Sequence, residues 1–331
     1  MNSWLIQTIV VLPLASALDY AIGDPPNWLH PVQVMGWGID RYTQWVLKTI
    51  SSILGQRFAG ILLGVGLVAG SGLLAWGLIW GADRLHPLMG VGVQTVLLAS
   101  CFAGRSLRQA AETVLQALQF SDLAAARIAL RRYVGRDTES LPESEILRAV
   151  LETVTENATD AVMAPLFYAL IGAAIPGCGG APLALAYKAA STLDSMIGYR
   201  TPPYTYLGWF SARWEDGLTW VPCRLTVLTI ALLSNRPYHV WKLCQRDAVK
   251  DPSPNSGWSE CAYAAALDVQ MGGINWYQGV AREKPLLGDR VREITPERID
   301  RALKLTRYSF LIWLVTGLVI LTGIQIPISM L

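Results

Sequence analysis

Apolar residues in this chain come in long blocks rather than in the alternations of a sheet or the narrow stripes of a soluble helix. The blocks cover residues 3–18, 58–82, 87–103, 161–178 and 309–328. Each is near the ~17–25 residues that a helix needs to cross a bilayer core. Two weaker blocks, 181–198 and 218–233, are interrupted by polar or charged residues. They read as short spans, re-entrant segments or surface helices. Residues 104–135 carry the period of two amphipathic helices, split near Ser121-Asp122, with Ser121 placed to cap the second. Residues 285–300 hold Pro285, Gly288 and Pro296 and read as a loop, with a last helix starting near Thr295-Pro296-Glu297. Little β structure is expected. The pattern predicts an all-α polytopic integral membrane protein forming one domain over 1–331. It should have about five to six transmembrane or re-entrant helices, with amphipathic helices on the cytoplasmic side.

Composition agrees with that reading. The chain is 52% hydrophobic and 16% charged, with mean hydropathy +0.34, against about 25% charge in a soluble domain. A net charge of +2 without a basic cluster interleaved with aromatics argues against nucleic acid as a partner. The partner implied is membrane lipid, and thirteen Trp and twelve Tyr suit interfacial belts. Cys101, Cys178, Cys223, Cys244 and Cys261 form no CxxC pair and are expected as free thiols, most of them buried. Ala15-Ser16-Ala17 imitates a cleavage site, but no Lys or Arg precedes the first block, so a retained first helix is expected.

Seven Lys/Arg in 104–160 and twelve in 234–308 place both segments in the cytoplasm, with the two termini outside. Pairing 161–178 with 181–198 as a hairpin around Pro176-Gly177-Cys178-Gly179-Gly180 gathers the charged motifs on that side. The protein is thus expected in the cell (inner) membrane, multi-pass, with a cytoplasmic-side active site.

Candidate chemistry clusters at the borders of the apolar blocks. Glu152, Glu156 and Asp160 recur every four residues and would share one helix face, with Asn157 beside them. Such carboxylates can hold Mg²⁺ through one or two oxygens, with nucleotide phosphates completing the shell, or hold an amine. Lys188 is the one Lys or Arg between Arg148 and Arg200, and it is followed by Thr192, Asp194 and Ser195. It can neutralise phosphate or pair with Asp194. Asp24 and His30 flank a Gly-Asp-Pro turn and are candidates for a ligand or metal. Arg105 and Arg136 suit phosphate or carboxylate recognition, because a guanidinium bonds two oxygens at once. Gly135 before Arg136 points to a tight backbone placement, which favours function for Arg136 and Asp137. Asp216 lies in Arg213-Trp214-Glu215-Asp216. Ser253-Pro254-Asn255-Ser256-Gly257 can present amides to an anion, with Glu260 on the helix that follows. No P-loop, GxSxG, HExxH or kinase motif occurs.

These pieces, in this order, resemble the CobD/CbiB family of adenosylcobinamide-phosphate synthases. The residues that carry the resemblance are DYAIGDPPNWLHPVQVMG (19–36), AGRSL (103–107), YVGRDT (133–138) and ETVTENATDAVMAPLFY (152–168). YKAASTLDSMIGY (187–199), RWEDGLTWVPCRL (213–225) and SPNSGWSECAYAAALDVQMGG (253–273) complete the set. The chain departs from the family pattern at Ala161, Ser191, Glu215 and Thr219, where Gly, Asn, Asp and Asn are expected.

The resemblance implies ATP-dependent amide formation between the free propionate carboxylate of adenosylcobyric acid and an aminoalcohol phosphate such as (R)-1-amino-2-propanol O-phosphate. It implies a carbon–nitrogen ligase using ATP and Mg²⁺, with the corrinoid as substrate. Arginines and Lys188 would hold phosphates, and Glu152, Glu156 and Asp160 would hold the metal. Asp160, Asp194 or Glu156 would take the proton from the incoming ammonium. Ser253, Asn255, Glu260, Asn157, Asp137, Asp216, Asp24 and His30 would contact substrates. A homo-oligomer, or a complex with other cobalamin-pathway enzymes, fits the same reading. The alternative is a membrane transporter of an anionic metabolite, for which Lys188 and Asp194 beside a broken hairpin speak. That alternative requires two similar halves, and no internal repeat is seen.

Overall fold

The structure, a computed structural model, describes residues 3–24 and 30–328, with side chains over 9–24 and 30–323. Helices dominate: α1 (Ser3–Ala21), α2 (Pro31–Thr49), α3 (Ile53–Leu85), α4 (Pro87–Ala99), α5 (Gly104–Gln119), α6 (Leu123–Leu130), α7 (Glu143–Asn157), α8 (Ala164–Ala174), α9 (Gly180–Ile197), α10 (Trp209–Leu233), α11 (Pro237–Asp247), α12 (Ser256–Leu267) and α13 (Pro296–Ile328). A π-helical segment, Ala158–Met163, joins α7 to α8. The only strands among the described residues are β1 (Met271–Tyr277) and β2 (Val280–Leu287), an antiparallel hairpin. The all-α polytopic expectation holds.

Among the described residues four helical stretches are long and apolar enough to cross a membrane: 53–85, 87–119 (α4 with α5), 209–233 and 296–323. Two expectations change. The block 161–178 is not one span-length helix, because α8 has 11 residues and Pro176-Gly177 ends its helical run. The weaker block 218–233 is the second half of α10, whose 25 residues are span-length. Its charged first half, with Arg213, Glu215 and Asp216, hid that length from an apolar-block reading.

The chain divides into two compact units, each assembled from separated segments: 1–103, 164–219 and 312–331 in the first, 104–163 and 220–311 in the second. In the first, α3 packs on α4 and α9, and α9 also touches α2, α4 and α8. The α8–α9 hairpin is close enough that a Cβ on Gly172 would sit 2.5 Å from the Gly179 carbonyl oxygen. Small residues allow that approach, as in other membrane helix pairs. α2 buries Met35, Ile39, Thr43 and Val46 on one face, and Ile39 and Val46 join a core with Leu193, Ile197 and Leu207. Its other face exposes Trp37 and Trp45, the look of a helix lying in an interface.

In the second unit α12 is the centre, buried from Ser259 through Leu267. α7, α11 and the hairpin pack around it. The expected pair of amphipathic helices is present as α5 and α6. The cap of α6 is Asp122 rather than Ser121, since Asp122 accepts from the Ala125 amide at 2.8 Å. Ser121 instead takes the left-handed φ of 59° that turns the chain. Four buried cysteines (101, 223, 244, 261) and a half-buried Cys178 are all free, as expected.

Candidate active site

α7 carries the hub of the second unit. Glu152 is 6% exposed, and its two oxygens serve three donors. Oε2 accepts from Arg136 Nη1 at 3.0 Å, and Oε1 accepts from Arg148 Nη1 at 2.8 Å and from the Gly272 amide at 2.9 Å. Arg148 lies four residues before Glu152 and three after Glu145, so both acids fall on its side of the helix. It also donates to the Gly272 carbonyl at 2.8 Å and to Asn275 Oδ1 at 2.9 Å, and Arg136 shares that Asn275 oxygen. The network therefore ties α7 to β1. A Cβ on Gly272, whose φ is +88°, would collide with the Pro285 carbonyl, so only glycine suits this crossing.

A second pair lies beside it. Glu260 on α12 is 0% exposed and accepts from Lys284 Nζ of β2 at 2.7 and 2.9 Å. Burial pushes Glu260 up, Lys284 pulls it back, and Glu156 and Glu152 add to the rise, leaving it well above the usual carboxylate range. Burial works to lower Lys284, but Glu260, Glu156 and Glu152 reverse this and hold it above an ordinary lysine. Glu156 presents surface to a cavity while protein surrounds it. Burial raises its carboxyl, Lys284 offsets part of that, and Asp251 and Glu152 add to it.

Two cavities flank this network. The smaller, about 160 Å³, is lined among others by Tyr133, Arg136, Glu152, Glu156, Tyr277 and Lys284. The larger, about 850 Å³, lies between the start of α7, the hairpin and the 290–296 segment, with Arg148, Gln270, Arg290, Arg292 and Thr295 on its wall. Its volume is in the range of small-molecule sites.

The acidic face expected of Glu152, Glu156 and Asp160 does not survive intact. The π segment widens the helix at Ala158–Met163, so Asp160 leaves the four-residue register. Pro165, which has no amide hydrogen to donate, follows directly. The Ser259 hydroxyl donates to the Thr155 carbonyl at 2.6 Å and bonds Thr159 Oγ1 at 2.8 Å, fastening α12 to the widened turn. Asp160 lies within electrostatic reach of Cys223. Among the described residues no three His, Cys, Asp or Glu side chains gather to hold a metal. Glu152 is the clear misfit for a cation, because two guanidinium groups occupy its oxygens.

Other expected residues of this unit have local employment. Asp137 accepts from the Gln278 and Gly279 amides at 3.0 and 2.8 Å, so it closes the β1–β2 turn. A Cβ on Gly135 would meet nothing, so no tight placement exists there. Asn157 donates to the Thr153 carbonyl at 2.9 Å and lines the small cavity. The amides of the Ser253–Ser256 turn are used internally. Those of Asn255 and Ser256 bond Ser253 Oγ at 3.2 Å, and that of Ser253 bonds Asp251 at 2.8 Å. Asn255 is buried and its carbonyl accepts from Cys223. Arg105 stands half-buried in the first turn of α5.

The first unit holds Asp24, His30, Lys188, Asp194 and Asp216. Pro25 of the Gly-Asp-Pro turn lies outside the described residues. His30 caps α2, its Nδ1 accepting from the Val32 amide at 3.2 Å. Its Nε2 lies 3.1 Å from Asp24 Oδ1, an ion-pair distance without hydrogen-bond alignment. Asp194 folds over Gly198, where any Cβ would collide with its carboxylate, and it senses the charge of Glu215. Glu215 is buried and accepts from Tyr187 at 3.4 Å and from Thr219, which also bonds Tyr187 at 2.9 Å. The two departures Glu215 and Thr219 thus bond each other. Tyr168 stacks on Tyr187 with centroids 5.0 Å apart. Lys188 is within electrostatic reach of Cys101, and Asp216 of Arg200 and Arg213.

Arg148, Asn275, Tyr277 and Lys284 are site residues that reading along the chain misses. The Glu145/Arg148/Glu152 spacing was a usable signal. Nothing local marks Lys284, whose partner is 24 residues away.

A helical, polytopic membrane protein with a buried arginine–carboxylate–lysine cluster is the class these features define. A family model described as CobD/Cbib protein matches residues 12–306. The cobalamin biosynthesis protein CobD of Synechocystis sp. is 48% identical over 324 residues, covering 98% of this chain and 95% of the relative. The cobalamin biosynthesis protein CbiB of Salmonella typhimurium is 39% identical over 303 residues, covering 90% and 93%. The CobD of Halalkalibacterium halodurans is 39% identical over 322 residues, covering 93% and 94%. No solved structure matches. The chain belongs to the CobD/CbiB family.

Proposed function

We propose that this protein is a cobalamin biosynthesis enzyme, an adenosylcobinamide-phosphate synthase of the cell membrane with its site on the cytoplasmic side. It joins the free propionate carboxylate of adenosylcobyric acid to the amine of an aminoalcohol phosphate. The observation that carries the reading is the charge cluster of the second unit: Arg136, Arg148 and Lys284 against Glu152, Glu156 and Glu260, beside two cavities of unequal size. Substrates that are themselves carboxylates, phosphates and amines need such a surface.

ATP would activate the propionate, with Mg²⁺ carried on its phosphates. The acidic face expected for Mg²⁺ does not fit the ion at Glu152, whose two oxygens are held by Arg136 and Arg148. The cations of this cluster, with Arg105 of the same unit, would offset charge building on transferring oxygens. A carboxylate must free the amine, since only the neutral amine attacks. The larger cavity has the room and the arginines for a large anionic substrate.

The test is reconstitution. Purified protein with adenosylcobyric acid, (R)-1-amino-2-propanol O-phosphate and Mg-ATP is expected to yield adenosylcobinamide phosphate, read by mass spectrometry. Folded protein that yields none across several lipid conditions rejects the reading.

A further inference from the structure

α2 carries two faces built on one spacing. Met35, Ile39, Thr43 and Val46 face inward. Trp37, Arg41, Trp45 and Lys48 repeat the same steps of four, four and three, shifted by two residues. Two residues turn a helix by about 200°, so the second set lies opposite the first. Trp37 is 66% and Trp45 55% exposed, and Arg41 and Lys48 are exposed with them. The inner face is held firmly. Tyr42 donates to the Ala59 carbonyl of α3 at 3.1 Å, and Gly36 lies against Met196 of α9.

A fixed elbow leads from α2 into a span. Gln56 donates to the Ile50 carbonyl at 3.0 Å, and Ser52 caps α3 by accepting from the Gly55 amide at 3.1 Å. α3 is long and apolar enough to cross a membrane, and its first turns expose Leu54, Phe58 and Leu62. At that end Arg57 lies over two rings, 5.4 Å from the Trp209 centroid and 5.9 Å from that of Tyr206. Stacking engages the face of a guanidinium, while its N–H edge is what bonds phosphate oxygens. Residues 31–58 hold three cations, Arg41, Lys48 and Arg57, against one acid, Asp40, which accepts from Gln44 at 2.8 Å. Rings interleaved with cations at the start of a span fit a head-group layer in which negative charge is in excess. A second copy of this face is a poor cover for it, because a two-fold contact brings the same cations together.

We propose that α2 lies in the plane of an anionic phospholipid surface and binds it: Trp37 and Trp45 sink between the head groups, and Arg41, Lys48 and Arg57 hold lipid phosphates. This docking is independent of the reaction catalysed. Ile39 and Val46 share a core with Leu193 and Ile197, so the same contact fixes the end of α9 relative to the head groups. A cation beside an anionic surface contributes about fivefold. Three of them, offset in part by Asp40, are expected to enrich anionic lipid beside α2 by about tenfold.

The test uses full-length protein in phosphatidylcholine nanodiscs doped with a small fraction of acyl-brominated lipid, either phosphatidylglycerol or phosphatidylcholine. Bromine quenches tryptophan fluorescence on contact, and the share owed to α2 is wild type minus Trp37→Phe/Trp45→Phe. Brominated phosphatidylglycerol is expected to quench that share at about one tenth of the fraction that brominated phosphatidylcholine needs. In Arg41→Gln/Lys48→Gln/Arg57→Gln, which keeps both tryptophans, the two lipids are expected to act at equal fractions. Hydroxyl-radical footprinting of wild type reads Trp37 and Trp45 by peptide mass spectrometry without any substitution. Both are expected to be more protected when phosphatidylglycerol is added, and to lose that gain as salt rises from about 0.1 to 1 M. Quenching of the α2 share by neither lipid overturns the docking and leaves the face to water or to another protein. Equal quenching by both lipids in wild type at low salt, or a charge variant that keeps the tenfold advantage, overturns the role of the three cations. Footprints indifferent to phosphatidylglycerol overturn it equally.

Discussion

Lys284 and Glu260 show how a single side chain governs the site's integrity. Glu260 has no exposure and Lys284 is about three-quarters covered. Removing one partner of such a pair strands the other, which typically costs about 3–5 kcal/mol. Lys284→Met is therefore expected to destabilise the protein by about 3 kcal/mol in thermal unfolding. The double variant Lys284→Met/Glu260→Gln should recover most of that loss. If the double variant is no better than the single, the pair is not the source of the stability. Because the folded Lys284 is held above 10.5, its contribution is complete below that pH and disappears only as pH rises through the higher folded value. Raised carboxyls act in the opposite sense. Glu156 and Glu260 disfavour folding at neutral pH and cease to do so as pH falls below their raised values.

At the scale of elements, the hairpin and the π segment hold the site together, and each has a handle. Asp137 satisfies both turn amides of β1–β2. Asp137→Ala is expected to cost about 0.5–1.5 kcal/mol and to speed hydrogen exchange at Gln278 and Gly279. Slowed or unchanged exchange would contradict the turn-closing role. Ser259→Ala removes the hydroxyl that bonds Thr155 and Thr159, and a loss of about 1–3 kcal/mol follows from stranding buried partners. α11 is anchored by Asp247, buried and bonded by Arg246, Lys250 and the Gly288 amide. Burial alone would raise Asp247, but these donors win and hold it below 3.8. Its stabilisation is present above 3.8 and is lost as pH falls through the lower folded value. Melting temperatures of wild type and Asp247→Asn should therefore differ at pH 6 and converge under strongly acid conditions.

Across the whole molecule, what could be read beforehand was what repeats locally. Apolar blocks marked α1, α3, α4 and the end of α13, and a 3.6-residue period marked α5 and α6, because lipid and core each impose a pattern on neighbouring residues. The 181–198 block appeared as α9 for the same reason. What stayed hidden depends on contacts far apart in sequence or on small backbone changes. Glu152 looked like an open carboxylate because Arg136 lies 16 residues away and the Gly272 amide 120 residues away. Asp160 looked in register because nothing in Ala158–Met163 announces a widened turn. The hairpin carrying Lys284 was missed because a two-stranded ribbon with Gly272, Gly273 and Pro285 reads as loop. Glu156, Arg136, Asn157 and Glu260 were legible as candidates, and the structure gathers them in one unit.

The central claim is that this charged cluster joins a corrinoid carboxylate to an aminoalcohol phosphate. The most direct measurement is mass-spectrometric detection of the product from purified protein, adenosylcobyric acid, (R)-1-amino-2-propanol O-phosphate and Mg-ATP. The account predicts adenosylcobinamide phosphate from wild type. Correctly folded wild type that forms no amide would contradict it.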